Sequence, residues 1–217
     1  MMRNVRSRLS IGLACLGMFA TVACTSLLAP VLKPDVSTDL AGIESGDWQL
    51  DPKHAALIFR IDHLEYSKFV GRFERFDVQL DGQADTPSLT SVVATVDITS
   101  LNIANDAFAE TLMGSDWFDA AAFPQAEFRS TRVVPTSDTT ADVEGILILH
   151  GKSAPVTLSV TFNGAGYDRL RGADIAGFSA TARIDRTEFG VSKFSGLITD
   201  MVDIEIEAEL MKTAETP

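Results

Sequence analysis

Cysteine is almost missing from the chain. Of 217 residues only Cys15 and Cys24 carry a thiol, and both stand near the N-terminus. The remainder therefore has no disulfide, no thiol nucleophile and no thiolate metal ligand; its core or strand closure must hold it together. Histidine is nearly as scarce, with His54, His63 and His150. A three-His zinc site would need them to converge without help from cysteine. His54 and His63 point to opposite sides of a straight strand, so strand-capping or backbone-bonding roles are preferred, and neither metal nor cofactor is expected. Positive charge is short: 18 Lys and Arg face 30 Asp and Glu, for a net charge of −12. That excludes nucleic acid as a partner, because neutralising phosphates takes clustered Lys and Arg. There is no G-x-S-x-G nucleophile elbow. The stretch GILILHGKS at 145–153 has one residue too many between Gly145 and Gly151 for a P-loop, and bulky residues where phosphate cradling needs small ones. No pair of carboxylates stands out as an acid/base couple. The pattern is that of a non-enzyme, with no catalytic residue to name.

The N-terminus has a purpose of its own. Arg3, Arg6 and Arg8 precede an apolar run at 11–23. This is the pattern of a secretory signal, and it falls short of the roughly 20 residues a membrane-spanning helix needs. Val22-Ala23-Cys24 resembles a bacterial lipobox, with Thr21 where Leu is usual. The expectation is a signal peptide at 1–23, lipidation of Cys24, export to the periplasm and an anchor in the outer membrane; conventional cleavage after Ala23 is the alternative. Thr25 stands where Asp would favour the inner membrane. Removing 1–23 takes three Arg and no acid, so the net charge of the mature chain becomes −15. Residues 24–46 hold Pro30, Pro34, Gly42 and Gly46 and read as a tether, with Leu27, Leu28, Val31 and Leu32 suited to lying on a surface. Residues 212–217 are a tail.

From Trp48 onward apolar and polar residues alternate in eight runs. Phe59 and Ile61 share a face in the first; Phe76 and Val78 in the second; Val96 lies in the third, Phe128 and Ser130 in the fourth, Leu147 and Leu149 in the fifth. The sixth has Leu158 and Val160, the seventh Phe178 and Ala180, and the eighth Val202, Ile204, Ile206, Ala208 and Leu210 against four acids. Phe73 is out of phase with Phe76, which predicts a bulge or bend after Gly71. Eight long alternating strands mean an all-β barrel or sandwich. One break, at 105–113, reads as a short helix with Asp106 as N-cap and Gly114 as its stop. Aromatic residues in irregular segments, Trp117, Phe118, Phe123, Phe189 and Phe194, are placed to cover a barrel end. Small inner-face residues, Ala94, Gly145, Ala180, Ala182 and Ala208, leave a lumen or merely match large neighbours; composition leaves both open.

Order and spacing carry a resemblance. Trp48-Gln49-Leu50-Asp51-Pro52-Lys53-His54 is followed by Phe59, His63 and Gly71-Arg72-Phe73. Then come Leu112, Asp116-Trp117-Phe118-Asp119, Phe123-Pro124, Phe128 and Ser130; Gly145, Leu147, Leu149, Gly151 and Pro155-Val156; and Arg186-Thr187-Glu188-Phe189-Gly190. Over 47–211 this resembles the YceI-like family, bacterial exported polyisoprenoid-binding proteins with a lipocalin-like barrel. It departs from the family pattern at Ala55, where Ser is usual, and at Ala109, Glu110 and Thr111, where an Arg-Asp pair and a His are common. The resemblance implies an extended eight-stranded antiparallel barrel with a short helix, around an elongated apolar cavity. The implied ligand is a polyisoprenoid, isoprenoid quinone or similar lipid, held at about 0.8 kcal/mol per buried methylene. Phe59, Ile61, Phe76, Val96, Phe128, Leu147, Leu149, Leu158, Val160, Phe178 and Ala180 would line it. Trp117, Phe118, Phe123, Phe189 and Phe194 would close an end, and His63, Ser130 and Arg132 are polar candidates near the head. The implied role is that of a carrier or sequestering protein. The alternatives are an enzyme acting on the bound lipid or quinone, and a structural or stress-response envelope protein with a filled barrel. A homodimer is left open.

Overall fold

A computed structural model describes residues 31–39, 43–83 and 90–213. The expected signal peptide, Cys24 and the last residues of the tail lie outside the described residues. Among the described residues the alternating runs form ten strands: β1 (Gly46–His63), β2 (Ser67–Phe73), β3 (Phe76–Gly82), β4 (Ser91–Asp97), β5 (Leu101–Asn102), β6 (Gln125–Pro135), β7 (Thr140–Leu149), β8 (Lys152–Asp168), β9 (Ala173–Asp185) and β10 (Met201–Lys212). Helix α1 (Asp106–Met113) sits between β5 and β6, and residues 31–32 are helical as well.

The sheet is a closed antiparallel ring, running β1-β10-β9-β8-β7-β6-β4-β3 and back to β1. β2 and β5 extend it: β2 pairs with the second half of β1, and β5 with β2. Thus β2–β3 act as one bent strand and β4–β5 as another, which gives the eight-stranded barrel. Closure removes sheet edges without any disulfide.

Two irregularities switch which residues face inward. In β1, Leu50 pairs with Leu210 but Ala55 pairs with Ala208, so residues 51–54 loop out of the ladder. Inward residues are even-numbered before it (Trp48, Leu50) and odd-numbered after it (Leu57, Phe59). The bend expected after Gly71 falls at 74–75, between β2 and β3. There the Glu74 amide donates to the Ser100 carbonyl at 3.1 Å and the Arg75 amide to Ser100 Oγ at 3.0 Å. Ser100 closes a 3-10 turn (Ile98–Ser100) that bends the neighbouring strand pair, and Asp97 caps that turn through the Thr99 amide at 2.9 Å. Two adjacent kinks therefore lock each other, and this decides where the parity changes.

The helix is present, but Asn105 and not Asp106 is its N-cap. The Asn105 side chain accepts from the Phe108 amide at 3.0 Å, and Asp106 stands in the first turn, where its charge suits the helix dipole. Gly114 ends it. Ala109 and Leu112 are its buried face.

Residues 31–39 dock on the barrel through backbone. The Ser37 amide donates to the Ala165 carbonyl at 2.9 Å, and the Ala165 amide to the Ser37 carbonyl at 2.8 Å. β7 pairs with β8 only as far as Thr161, so this pairing covers part of the β8 edge beyond it. Gly164, at φ +133°, permits the approach: a Cβ there would stand 3.0 Å from the Ser37 carbonyl oxygen. Val31 and Val36 remain exposed, so hydrogen bonding and not apolar burial by these residues holds the segment.

Candidate binding site

The barrel is hollow. Its upper part holds a cavity of about 720 Å³, within the roughly 300–1,000 Å³ of small-molecule sites. The walls are Leu57, Phe59 and Ile61 of β1, Ala94 and Val96 of β4, Phe128 of β6, Leu147 and Leu149 of β7, Leu158 of β8, and Val202, Ile204 and Ile206 of β10. Many of these inward side chains are only half-buried, because they face space and not one another. The cavity excludes the filled-barrel alternative as far as the upper part is concerned.

Helix α1, residues 115–118 and the loop at 187–200 surround the mouth. Phe108 of α1 packs edge-on against Phe69 of β2 with ring centres 5.9 Å apart, and Phe118 does the same on Phe73 at 5.9 Å. The loop is held from inside by Arg186, which is 4% exposed. Its guanidinium donates to the carbonyls of Val191 at 2.6 Å, Lys193 at 3.0 Å, Thr199 at 3.2 Å and Ile198 at 3.3 Å, and to Asp200 Oδ1 at 2.7 Å. Lys193 of this loop forms an ion pair with Asp116 across the mouth, and Phe194 lies against Trp117 with ring centres 6.0 Å apart. Glu127 also borders the cavity and is engaged by Arg129 at 2.5 Å. The two cations that line the cavity, Arg186 and Lys193, thus already have carboxylate partners. Phe108 and Phe194, 43% and 52% exposed, mark the open rim.

A second chamber of about 190 Å³ lies below. Val78 and Leu80 of β3, Val143 of β7, Val160 and Phe162 of β8, Phe178 and Ala180 of β9 and Leu210 of β10 form its wall.

Of the residues expected from sequence, Phe59, Ile61, Val96, Phe128, Leu147, Leu149 and Leu158 border the upper cavity, with Trp117, Phe118, Phe194 and His63 at its outer end. Val160, Phe178 and Ala180 border the lower chamber, which Leu158 shares. The structure places five others outside the two linings. Phe76 borders neither chamber; at the β3 start it packs against both the upper and lower core clusters. Phe123 packs edge-on against the His150 ring, 4.9 Å between centres. Phe189 is buried in the upper core at 1% exposure, and its carbonyl accepts from His150 Nδ1 at 3.1 Å. Ser130 Oγ accepts from the Val92 amide at 2.8 Å. Arg132 is exposed on the outer wall and paired with Glu144 at 2.7 Å, which raises its pKa.

The site also contains residues that sequence reasoning passed over. Phe69 and Phe73 belong to β2, whose odd-numbered inner face was hidden by the 74–75 kink. Phe108 and Leu112 come from α1. Val202, Ile204 and Ile206 show their period of two in the sequence, the signal by which they could have been placed in the lining.

Away from the mouth, the looped-out residues of β1 build a polar clasp. Asp51, 7% exposed, accepts from His54 Nδ1 at 2.7 Å, from the Lys53 amide at 3.0 Å and from Arg171 at 3.1 Å. Arg171 also engages Asp168 at 2.8 Å and Glu209 at 2.6 Å. The His54 hydrogen bond foremost, with the Lys53 amide and Arg171, holds the Asp51 carboxyl at about 2, against an ordinary 3.8. A depressed carboxyl pKa stabilises the fold above the ordinary value, and that contribution disappears as pH falls from about 3.8 through about 2. Asp51→Asn is expected to cost about 1–3 kcal/mol at neutral pH and to flatten this acid limb in urea denaturation curves. An unchanged acid limb would refute the assignment. Among the described residues, no group of three or more His, Cys, Asp or Glu side chains is arranged to hold a metal ion.

Fold and site together define a hollow, closed antiparallel barrel with an apolar lumen open at a helix-flanked end. Residues 48–210 match the YceI-like domain, and the chain belongs to that family. A UPF0312 protein of Vibrio cholerae is 32% identical over 186 residues, covering 85% of this chain and 96% of that protein. A UPF0312 protein of Pseudomonas putida is 33% identical, covering 77% and 88%. Among solved structures, Burkholderia cenocepacia BcnA superposes with a TM-score of 0.67 at 25% identity, covering 76% of this chain and 99% of that one. A polyisoprenoid binding domain from Saccharophagus degradans, at 14% identity and a TM-score of 0.56, covers 78% and 100% and shares the fold.

Proposed function

We propose that the protein binds a long apolar lipid, a polyisoprenoid or isoprenoid quinone, lengthwise in the lumen, and acts as a carrier or sequestering protein of the bacterial cell envelope. The observation that carries this reading is the 720 Å³ cavity with its nearly continuous apolar wall. Burying methylene groups at about 0.8 kcal/mol each gives affinity without strong polar recognition. Polar side chains gather at the outer end, where a head group would lie, with His63 at the rim. The Saccharophagus degradans protein that shares this fold is a polyisoprenoid binding domain, which supports the reading. Export and anchoring through Cys24 are supported by the basic start, the short apolar run and Val22-Ala23-Cys24. An anchor would keep the lumen beside the membrane from which a lipid is drawn.

Mass spectrometry on the full chain, extracted from a membrane fraction, tests both parts. Under native conditions the expected species carries one apolar adduct, which leaves on denaturation. The denatured mass is expected to lack residues 1–23 and to carry acyl groups at Cys24. A native spectrum with only the bare protein mass would sink the lipid reading; an unacylated Cys24 would sink the anchor alone.

A further inference from the structure

The two chambers lie end to end and meet at three residues. Val202, Ile204 and Ile206 of β10 line the upper chamber, and Ile206, Ala208 and Leu210 line the lower. On β8 the sequence is Val156 and Leu158 above, then Leu158, Val160 and Phe162 below; on β4 it is Val96 and Ala94 above, then Ala94 and Val92 below. On each strand the shared residue ends one chamber and starts the other. β4, β8 and β10 stand at separate positions around the ring, so Ala94, Leu158 and Ile206 form a belt across the lumen. Phe76, which packs against the core clusters on both sides, lies at the same boundary on β3.

The lined length of β10, from Val202 to Leu210, is about 26 Å at 3.3 Å per residue, or about 20 Å along the axis for strands tilted by about 40°. A tail longer than the upper chamber has one apolar route onward, through this belt. Of the three shared residues Ala94 is the smallest, so the width of the passage depends most on it.

We propose that Ala94, with Leu158 and Ile206, is a waist that sets how long an isoprenoid tail the barrel accepts. Short tails occupy the upper chamber alone, and long tails are held only by threading the waist into the lower chamber. This rests on the lipid-binding reading.

Farnesol and solanesol, delivered from mixed micelles, provide a short and a long prenol with the same uncharged head. Trp117 borders the upper chamber, so its fluorescence reports both. The wild-type protein is expected to bind both. Ala94 borders both chambers, so Ala94→Phe is read as a split and not as a silent change: it is expected to weaken solanesol at least about tenfold more than it weakens farnesol, a difference of about 1.4 kcal/mol. Ile206→Phe closes the waist from β10 and should give the same split; it serves if Ala94→Phe does not fold. A folded variant that binds both prenols as the wild type does, or that loses both equally, overturns the waist and leaves the lipid reading standing. Failure of the wild type to bind either prenol overturns both.

Discussion

Replacing Arg186 by methionine is expected to cost about 3–5 kcal/mol, the usual penalty for breaking a buried ion pair from one side, and to release the loop at 187–200. Methionine keeps most of the side-chain volume, so packing is not the main loss. What disappears is a planar fork that reaches four backbone carbonyls and Asp200 at once. Left behind are carbonyls turned inward with their donor removed, each costing about 1–3 kcal/mol unless the loop rearranges to reach water. Rearrangement is the expected response, so the total stays below the sum. Lysine should rescue little, because a compact ammonium cannot spread over five acceptors. Since Lys193 and Phe194 ride on the same loop, the mouth should open as stability falls. Urea denaturation gives the first quantity, and proteolytic nicking within 187–200 reports the second. A variant within about 1 kcal/mol of the parent, still resistant to nicking, would show that the backbone bonds from Arg186 to Asp200 and Val191 suffice to hold the loop.

The difference between Arg186 and the strands shows what a sequence can disclose. β8 and β10 are readable because each has one face to water and one to the lumen, and period two follows from that alone. The acids of β10 confirm the outer face: Glu205 pairs with Arg60, Asp203 with Arg183 and Glu209 with Arg171. Parity fails wherever a strand gains residues, as at 51–54 and 74–75, because an odd insertion exchanges the faces. Phe69 and Phe73 were hidden for that reason. Arg186 left no trace beyond its place in a family signature, since its partners are carbonyls, which every residue has. The aromatic residues of irregular segments share a further ambiguity. Phe118 and Phe194 cover the mouth, whereas Phe123 and Phe189 turn into the wall, and only the backbone path distinguishes them. Whether small inner residues mean a lumen also depended on what stands opposite: Ala94, Ala180 and Ala208 border space, but Gly145 does not.

Gly145 is a seat for a ring, and Gly145→Val is expected to destabilise the barrel by about 3 kcal/mol, the upper part of the overpacking range. A Cβ built at 145 would overlap the Phe128 ring and stand 2.5 Å from the carbonyl oxygen of Arg129. The two obstacles differ in how they can yield. Phe128 can swing away, but inward is the one open direction, so its ring would enter the lumen just above the waist. Arg129 cannot yield as easily, because it pairs with both Ile146 of β7 and Val93 of β4. The same device recurs on β2, where a Cβ on Gly71 would stand 2.6 Å from Cε1 of Phe59 and 2.9 Å from Ile103 Cγ2; such glycine–aromatic pairs stiffen sheets that must bend into barrels. Removing the ring should therefore relieve only part of the strain. In the double variant Gly145→Val/Phe128→Leu, a favourable coupling of about 1 kcal/mol is expected, with the Arg129 share persisting. Chemical denaturation of the two single variants and the double variant measures it. Strictly additive losses would mean that Phe128 does not depend on the space Gly145 leaves, and a neutral Gly145→Val would mean that β6 and β7 can separate at this level without cost.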